Sequence, residues 1–257
     1  SSAAADVYKR QIIILLTGRN ADLRETVTII TSIITFFIVA TLLREVDSGE
    51  HPSFQVIEML PGLGITFSLE PLGMLFAAIA SGLWIITSIY AVGYMRGHHE
   101  INQTRFYVCF AIAISSALGI AFAGNMLTLF IFYEVLTLCT FPLVTHSGTE
   151  DAKRAGRVYL GILIGTSVGF QLIGMIWTWN LSGTLDFRAG GILPQGVSAG
   201  LTAVLIGLYV YGIGKAALMP FHRWLPAAMV APTPVSALLH AVAVVKAGVF
   251  SVLKVTI

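Results

Sequence analysis

The feature that most constrains this chain is a succession of long apolar runs that contain very few charged side chains. A run of about 20 apolar residues is long enough to cross the ~30 Å hydrocarbon core of a bilayer as a helix. Seven such runs take up most of the 257 residues, so the sequence predicts an all-α, polytopic membrane protein. We place the spans at residues 26–43, 71–95, 106–123, 126–146, 158–179, 199–221 and 234–256.

The composition excludes the common soluble classes. Only 11% of the residues are charged and the net charge is +2, whereas soluble domains carry about 25% charged residues. The scattered Lys and Arg residues form no continuous basic face, so nucleic acid is not an expected partner. Cys109 and Cys139 lie in apolar runs without CxxC spacing, which predicts no disulfide framework and no metal site. A haem between His146 and His222 is conceivable, but nothing in the sequence favours it, so we predict no cofactor.

The first residues are expected to stand apart from the membrane domain. Residues 1–11, SSAAADVYKRQ, are small and polar and do not lead into the following apolar residues by a helical pattern. We interpret them as a non-native or unstructured leader, because the next apolar piece is too short for a secretory signal. Residues 12–257 are predicted to form one transmembrane domain that is truncated at both ends.

The distribution of Lys and Arg predicts the orientation of the spans, because short cytoplasmic loops collect these residues. Alternate loops are rich and poor in them, eight on one side against two on the other. The rich side holds Arg19, Arg24, Arg96, Arg105, Lys153, Arg154, Arg157 and Arg223, and the poor side holds Arg44 and Arg188. The rich side is therefore predicted to be cytoplasmic.

The exported loop from Arg44 to Glu70 contains two short runs of β type, FQVIEML and ITFSLE, around the turn signal PGLG. We predict a small β-hairpin cap there. The acidic residues of this loop could hold cations near a pore mouth, but a solvated loop is the better interpretation.

Three ionisable side chains fall near the middle of predicted spans: Glu134, Lys215 and Lys246. An intramembrane charge costs about 2.5–3.5 kcal/mol on insertion scales and usually faces a wet or protein-lined interior. Their opposite signs allow mutual compensation, and neighbouring charges can change their protonation. We therefore favour proton transfer over the alternative, an ion pair that only fastens the spans together.

The span that contains Lys215 is predicted to break near its charge. Pro220 lacks a backbone donor and clashes with the preceding turn, and Gly212 and Gly214 come just before the lysine. Discontinuous helices are common at the ion sites of transporters. A plain proline kink without an ion path is the alternative.

The last predicted span carries two further groups of interest. His240 lies six residues before Lys246 and titrates near neutral pH in ordinary surroundings, which suits a proton relay. A histidine that is hydrogen-bonded to neighbouring backbone explains it nearly as well. We expect Lys254 to snorkel toward the interface. In an earlier span, the glycines of GxxxGxxxG at residues 161–169 are typical of close helix packing.

The segment GKAALMPFHRWLPAAMVAPTPVSALLHAVAVVKAG resembles the signature of an antiporter-like family. This family comprises membrane subunits of multisubunit Na⁺/H⁺ (Mrp-type) antiporters and the proton-pumping membrane subunits of respiratory complex I. The resemblance also covers an LRE loop at Leu23 to Glu25, the hairpin loop and FxxxEVLTL around Glu134, so it runs from about Ile12 to the end. VVKAG and PFHRWLPAAM are more similar to the D-type subunits of the antiporters.

This resemblance implies a fold of inverted helix repeats, with the chain holding the first repeat and lacking the second half-channel. It implies that Lys215 of the broken helix pairs with Glu134. It also implies that Lys246 of the next helix is a central relay residue, with His240 nearby.

The sequence thus favours a membrane subunit of a multisubunit cation/proton antiporter that moves H⁺ through a Glu/Lys relay. A single carboxylate offers too few oxygen ligands for a good Na⁺ site, so protons are the preferred cargo. Whether Na⁺ is also transported is left open. One alternative is a proton-pumping subunit of a complex I-like NADH:quinone oxidoreductase, with no redox site of its own, and another is a structural scaffold. The expected partners are other membrane subunits and the lipid bilayer, in a bacterial-type inner (plasma) membrane.

Overall fold

The computed structural model describes residues 20–49, 52–60, 62–188, 190–194 and 196–256, so the predicted leader at 1–11 lies outside the described residues. Helices dominate this part of the chain. The principal elements are α1 (Ala21–Asp47), β1 (Ser53–Leu60), β2 (Leu63–Ser68), α2 (Pro71–Gly97), α3 (Gln103–Ala121), α4 (Met126–Val144), α5 (Glu150–Ser182), α6 (Ala199–Gly212) and α7 (Thr233–Thr256). All of the helices except α6 are long and apolar enough to cross a membrane, which confirms the predicted fold class.

The sixth predicted span, residues 199–221, is not a continuous helix. The helix that begins it, α6, ends at Gly212 after 14 residues. The following residues form 3₁₀ turns at Gly214–Ala216 and Phe221–Arg223 and a one-turn helix at Trp224–Ala227. A broken helix near Lys215 is therefore confirmed.

The predicted loop at Leu23 to Glu25 is wrong, because these residues belong to the first turns of α1. Arg24 and Glu25 are buried there rather than solvated. Glu25 is bound by both Arg24 and Arg96, and Arg24 donates to Gln103 Oε1 at 2.8 Å. The charges of this segment therefore compensate one another against α2 and α3, which allows them to be enclosed.

The predicted hairpin is confirmed and is fastened to the helices. Strands β1 and β2 pair antiparallel, from Ser53 opposite Ser68 to Leu60 opposite Leu63. The Thr66 amide donates to Thr128 Oγ1 at 3.0 Å, and Asn125 Nδ2 donates to the Gly64 carbonyl at 2.7 Å. These bonds hold β2 across the predicted exported end of α4.

The core lies between α2, α3, α4, α5 and α7, and large side chains fill it. Trp84, Phe106, Tyr133, Tyr159 and Trp224 are all at most 1% exposed. The GxxxGxxxG glycines of α5 make no close helix contact, because nothing lies within 4 Å of a Cβ built at any of the three. They do not serve the expected close packing within the described chain.

Two helices contain wide π-type turns. In α5 the π turn covers Ser167–Gln171, and in α7 it covers Leu238–Val242 and is followed by a bend at Ala243. Such turns are rare and occur frequently at functional sites. The π turn of α5 lies against the end of α6 at the break, where Gln171 approaches Gly212.

Candidate functional site: the helix break around Lys215

The backbone after Gly212 departs from helical geometry at two positions. The residue at the far end of the break, Ala217, has a φ of 54°, in the left-handed region that residues other than glycine seldom adopt. The Met219–Pro220 peptide bond is cis. The freed backbone groups find partners, since Trp224 Nε1 donates to the Gly214 carbonyl at 2.9 Å.

Glycines allow two helices, α5 and α7, to approach the break closely. A Cβ built at Gly212 would overlap the backbone of Gln171 in the π turn of α5, and one built at Gly214 would overlap the Thr166 side chain. A Cβ at Gly248 of α7 would overlap the backbone between Lys215 and Ala216. The positions of Gly212 and Gly248 therefore require a residue without a side chain.

Lys215 is completely buried in this break, with 0% exposure. Its Nζ atom donates to the Tyr133 carbonyl of α4 at 2.7 Å and to the Thr137 hydroxyl, and it lies 3.1 Å from the centroid of the Tyr133 ring. The Lys215 amide donates to the Tyr133 hydroxyl at 3.0 Å. One turn of α4 thus holds both the ammonium group and the backbone of the lysine.

Glu134 lies on this same turn of α4 but does not form the direct ion pair with Lys215 that the resemblance implies. Within the described ranges, the ion pairs of the protein do not include these two residues. Successive helical residues point about 100° apart, so a turn that directs Tyr133 and Thr137 at the lysine directs Glu134 to one side. Glu134 is half-buried, and its Oε1 atom is buried without a hydrogen-bond partner among the described residues.

A short polar network extends from Lys215 toward the predicted cytoplasmic side. The Thr140 hydroxyl, one turn beyond Thr137, lies 2.6 Å from the Tyr159 hydroxyl. Tyr159 packs edge-on against Trp224, with ring centroids 5.5 Å apart. These hydroxyls are buried and adjoin the lysine cluster.

His240 and Lys246 differ in their surroundings on α7. His240 lies in the π turn, half-buried, and its Nε2 atom is buried without a hydrogen-bond partner in the described part of the chain. Lys246 is exposed and makes no hydrogen bond or ion pair with the residues described. The structure therefore does not bring Lys246 to the Lys215 cluster.

The prediction that Lys254 snorkels to the interface is wrong. Its side chain is only 3% exposed and is paired with Glu70, with Nζ and Oε2 2.8 Å apart. The sequence placed Glu70 in an acidic loop but offered no sign of this long-range contact. Tyr133 and Thr137 were also missed, although their spacing of one helical turn beside Glu134 was a usable signal.

The two histidines considered for a haem lie in different settings. His222 is exposed in the turns after the break. His146 is buried just beyond α4, with its Nε2 atom 3.7 Å from Glu100 Oε2. The Arg105 guanidinium donates to the His146 carbonyl at 3.3 Å.

Acidification is expected to destabilise the folded protein through His146. Burial lowers the pKa of its imidazole below the ordinary 6.5, although the Glu100 carboxylate opposes this shift. The unfolded chain therefore binds more protons than the folded chain below that pH, and stability falls as the pH drops. Thermal unfolding of the purified protein between about pH 8 and pH 5 measures this effect. His146→Asn should have a flatter profile, and identical profiles for both proteins would contradict the assignment.

Fold and site together define a polytopic membrane protein with interrupted helices around a buried lysine. Comparison with known proteins shows which family of membrane proteins this is. Residues 123–257, just over half of the chain, match the family model described as NADH:quinone oxidoreductase/Mrp antiporter, TM. The chain belongs to this family.

Relatives from both branches of the family resemble the chain. A probable K⁺/H⁺ antiporter protein of the A/B type from Rhizobium meliloti is 31% identical over 229 residues, which are 87% of this chain and 22% of that protein. NAD(P)H-quinone oxidoreductase chain 5 of a Synechocystis species is 31% identical over 201 residues, 75% of this chain and 29% of that protein. The chain thus spans less than a third of the length of these relatives.

Solved structures share the fold. The Mrp complex from Dietzia sp. DQ12-45-1b has a chain that superimposes with a TM-score of 0.78 at 25% identity, covering 97% of this chain and 27% of that one. The archaeal membrane-bound sulfane sulfur reductase gives a TM-score of 0.82 at 22% identity, covering 98% and 52%. These assemblies are complexes, and the relatives belong to multisubunit membrane assemblies.

Proposed function

We propose that this chain is the proton-translocating part of a membrane subunit in a multisubunit cation/proton antiporter of the Mrp type. The observation that carries the proposal is Lys215, a lysine with 0% exposure at a helix break. Its ammonium group is bound by the neutral oxygens of Tyr133 and Thr137. Because no described carboxylate locks this charge into an ion pair, it remains free to change partners when a proton arrives nearby.

The proposed relay runs through Glu134, Lys215, His240 and Lys246. Glu134 Oε1 and His240 Nε2 are buried atoms without hydrogen-bond partners among the described residues, and unsatisfied buried groups of this kind are costly unless they serve a purpose. Lys246 is exposed at the middle of α7. Contact of a charged side chain with lipid at that depth is energetically unfavourable, so we infer that protein or water covers this face in the assembled complex.

A complex I-like assembly is the second candidate, and the resemblance to a quinone oxidoreductase chain 5 favours it. The membrane residues would move protons in the same way, while the energy would come from quinone reduction in other subunits. The assignment to the D-type antiporter subunits stays a prediction, because the two relatives are an antiporter protein of A/B type and a chain 5. H⁺ as the cargo and a bacterial inner membrane as the location are part of the proposal.

Glu134→Gln is expected to lower proton flux about 100-fold, the usual contribution of a positioned proton-transfer group. Glutamine keeps the shape of the side chain but cannot take up a proton. The measurement is pH change inside vesicles that contain the complete purified complex, driven either by a cation gradient or by quinone reduction. The driving force that sustains flux distinguishes the antiporter from the complex I-like candidate.

Glu150→Gln is the matched control, because Glu150 is an 82% exposed side chain paired with Lys153 at the start of α5. It should transport like the wild type. Unchanged flux in Glu134→Gln would contradict the relay. Unchanged flux together with weakened assembly of the complex would favour the scaffold alternative.

A further inference from the structure

The ion pair between Lys254 and Glu70 lies at the predicted exported end of the bundle, apart from the Lys215 cluster. Only 3% of the Lys254 side chain is exposed, against 37% of the Glu70 side chain. The other oxygen of the Glu70 carboxylate accepts a hydrogen bond from Ser68 Oγ at 2.9 Å. One partner is therefore enclosed by protein while the other reaches the surface.

Several segments converge on this pair. Glu70 immediately precedes α2, Ser68 ends β2, and Lys254 belongs to the last turn of α7. Lys254 Nζ lies 4.8 Å from the ring centroid of Phe187, which follows α5, and 6.0 Å from that of Phe250. The lysine side chain is thus enclosed between the hairpin, two helix ends and the segment after α5.

The buried face of α7 connects this pair to the helix break. Gly248 lies against the backbone of Lys215 and Ala216, Ser251 is 0% exposed, and Lys254 follows on the same buried side. At 1.5 Å of rise per residue, Lys254 begins about 9 Å beyond Gly248 along the helix axis. The lysine of the pair therefore lies on the exported side of the Lys215 cluster, on the same buried face of α7.

We propose that the Glu70–Lys254 pair is the exported-side gate of the proton path, an inference that rests on the proposed function. In the closed state Glu70 holds Lys254 between the hairpin and the helix ends, and the buried positive charge disfavours passage of protons. Protonation of the partly exposed Glu70 carboxylate to the neutral acid removes the counter-ion of Lys254. A buried charge without its partner is strongly disfavoured, so the lysine moves toward water and exposes the Ser251 face of α7.

Thiol labelling tests the gate without measuring transport. Cys109 and Cys139 are first replaced by alanine in the complete complex, and Ser251→Cys then supplies a small buried reporter. A membrane-impermeant maleimide is added from the exported side. We expect Ser251→Cys to stay unlabelled while the pair is intact and to become labelled when Glu70→Gln is added. Equal labelling with and without Glu70→Gln, whether low or high, would overturn the proposal.

Passive leak gives a second measurement. In vesicles, Glu70→Gln and Lys254→Gln should dissipate an imposed pH gradient several-fold faster than the wild type. The exchanged pair, Glu70→Lys with Lys254→Glu, should restore slow decay, and Lys153→Gln at the exposed cytoplasmic-side pair should leave it unchanged. Wild-type leak rates in assembled Glu70→Gln and Lys254→Gln complexes would also overturn the gate.

A milder variant tests the gate if substitutions at Glu70 prevent assembly of the complex. Ser68→Ala removes only the hydroxyl that binds Glu70 and should give intermediate labelling of Ser251→Cys. Absence of labelling in that assembled variant counts against the gate. The proposed function is tested independently of the gate: it is contradicted if removal of the Lys215 amine leaves transport intact.

Discussion

Lys215→Met is expected to reduce proton flux at least about 100-fold, because it removes the wholly buried amine of the helix break. Methionine retains most of the volume of the side chain, and the Tyr133 carbonyl keeps its hydrogen bond from the Thr137 hydroxyl once the amine is gone. The thermal stability of the variant and its assembly into the complex should therefore stay close to those of the wild type. Flux into vesicles that contain the complete complex and a thermal unfolding scan together measure transport and stability.

The comparison with an exposed lysine makes this result specific. Lys153 has a 53% exposed side chain, and Lys153→Met removes the same charge without touching the break. It should transport at the wild-type rate. If Lys215→Met also keeps its flux, the relay does not pass through this amine and the proposed mechanism is wrong.

Gly248→Ala is expected to destabilise the protein by about 3 kcal/mol and to abolish transport as well, since overpacking of a tight contact costs about 1–3 kcal/mol. The added Cβ would overlap backbone atoms of Lys215 and Ala216, which have no rotamer that could relieve the clash. The broken segment must then shift, and the lysine shifts with it away from Tyr133. The midpoint of thermal unfolding reports the stability, and proton flux reports the displacement.

Gly165→Ala is the matched control for this substitution. A Cβ at Gly165 meets nothing within 4 Å in the middle of α5, so alanine should stabilise the helix by about 0.5–1 kcal/mol. A Gly248→Ala protein that is as stable and active as Gly165→Ala would show that α7 does not press on the break as closely as the structure indicates.

Much of the fold was predictable from local patterns. The long apolar runs identified six helices that are able to span a membrane, and the two short runs of β type around PGLG identified the hairpin. Gly212, Gly214 and Pro220 indicated the break near Lys215, because glycine and proline act on the backbone whatever surrounds them. The motif-like segment from Gly214 onward pointed to the family that the comparisons established.

The geometry of the candidate site was less predictable. The pairing of Glu134 with Lys215 was implied by resemblance, but the turn of α4 presents Tyr133 and Thr137 to the amine instead. The rotation of a helix about its own axis depends on all of its packing contacts, and α4 is apolar on nearly every side. Its sequence therefore could not show which residues face the lysine.

The exposure of Lys246 and the buried ion pair of Lys254 could not be predicted from the sequence either. By itself, the sequence determined which segments enter the bilayer and where the backbone breaks, since hydrophobic transfer and backbone sterics are local properties. Only the tertiary structure decided which charges meet, because Glu70 and Lys254 are separated by 184 positions along the chain and their contact depends on how α2 and α7 pack. Coulomb energies change steeply with distance and burial, so the same lysine can be solvated or enclosed according to that packing.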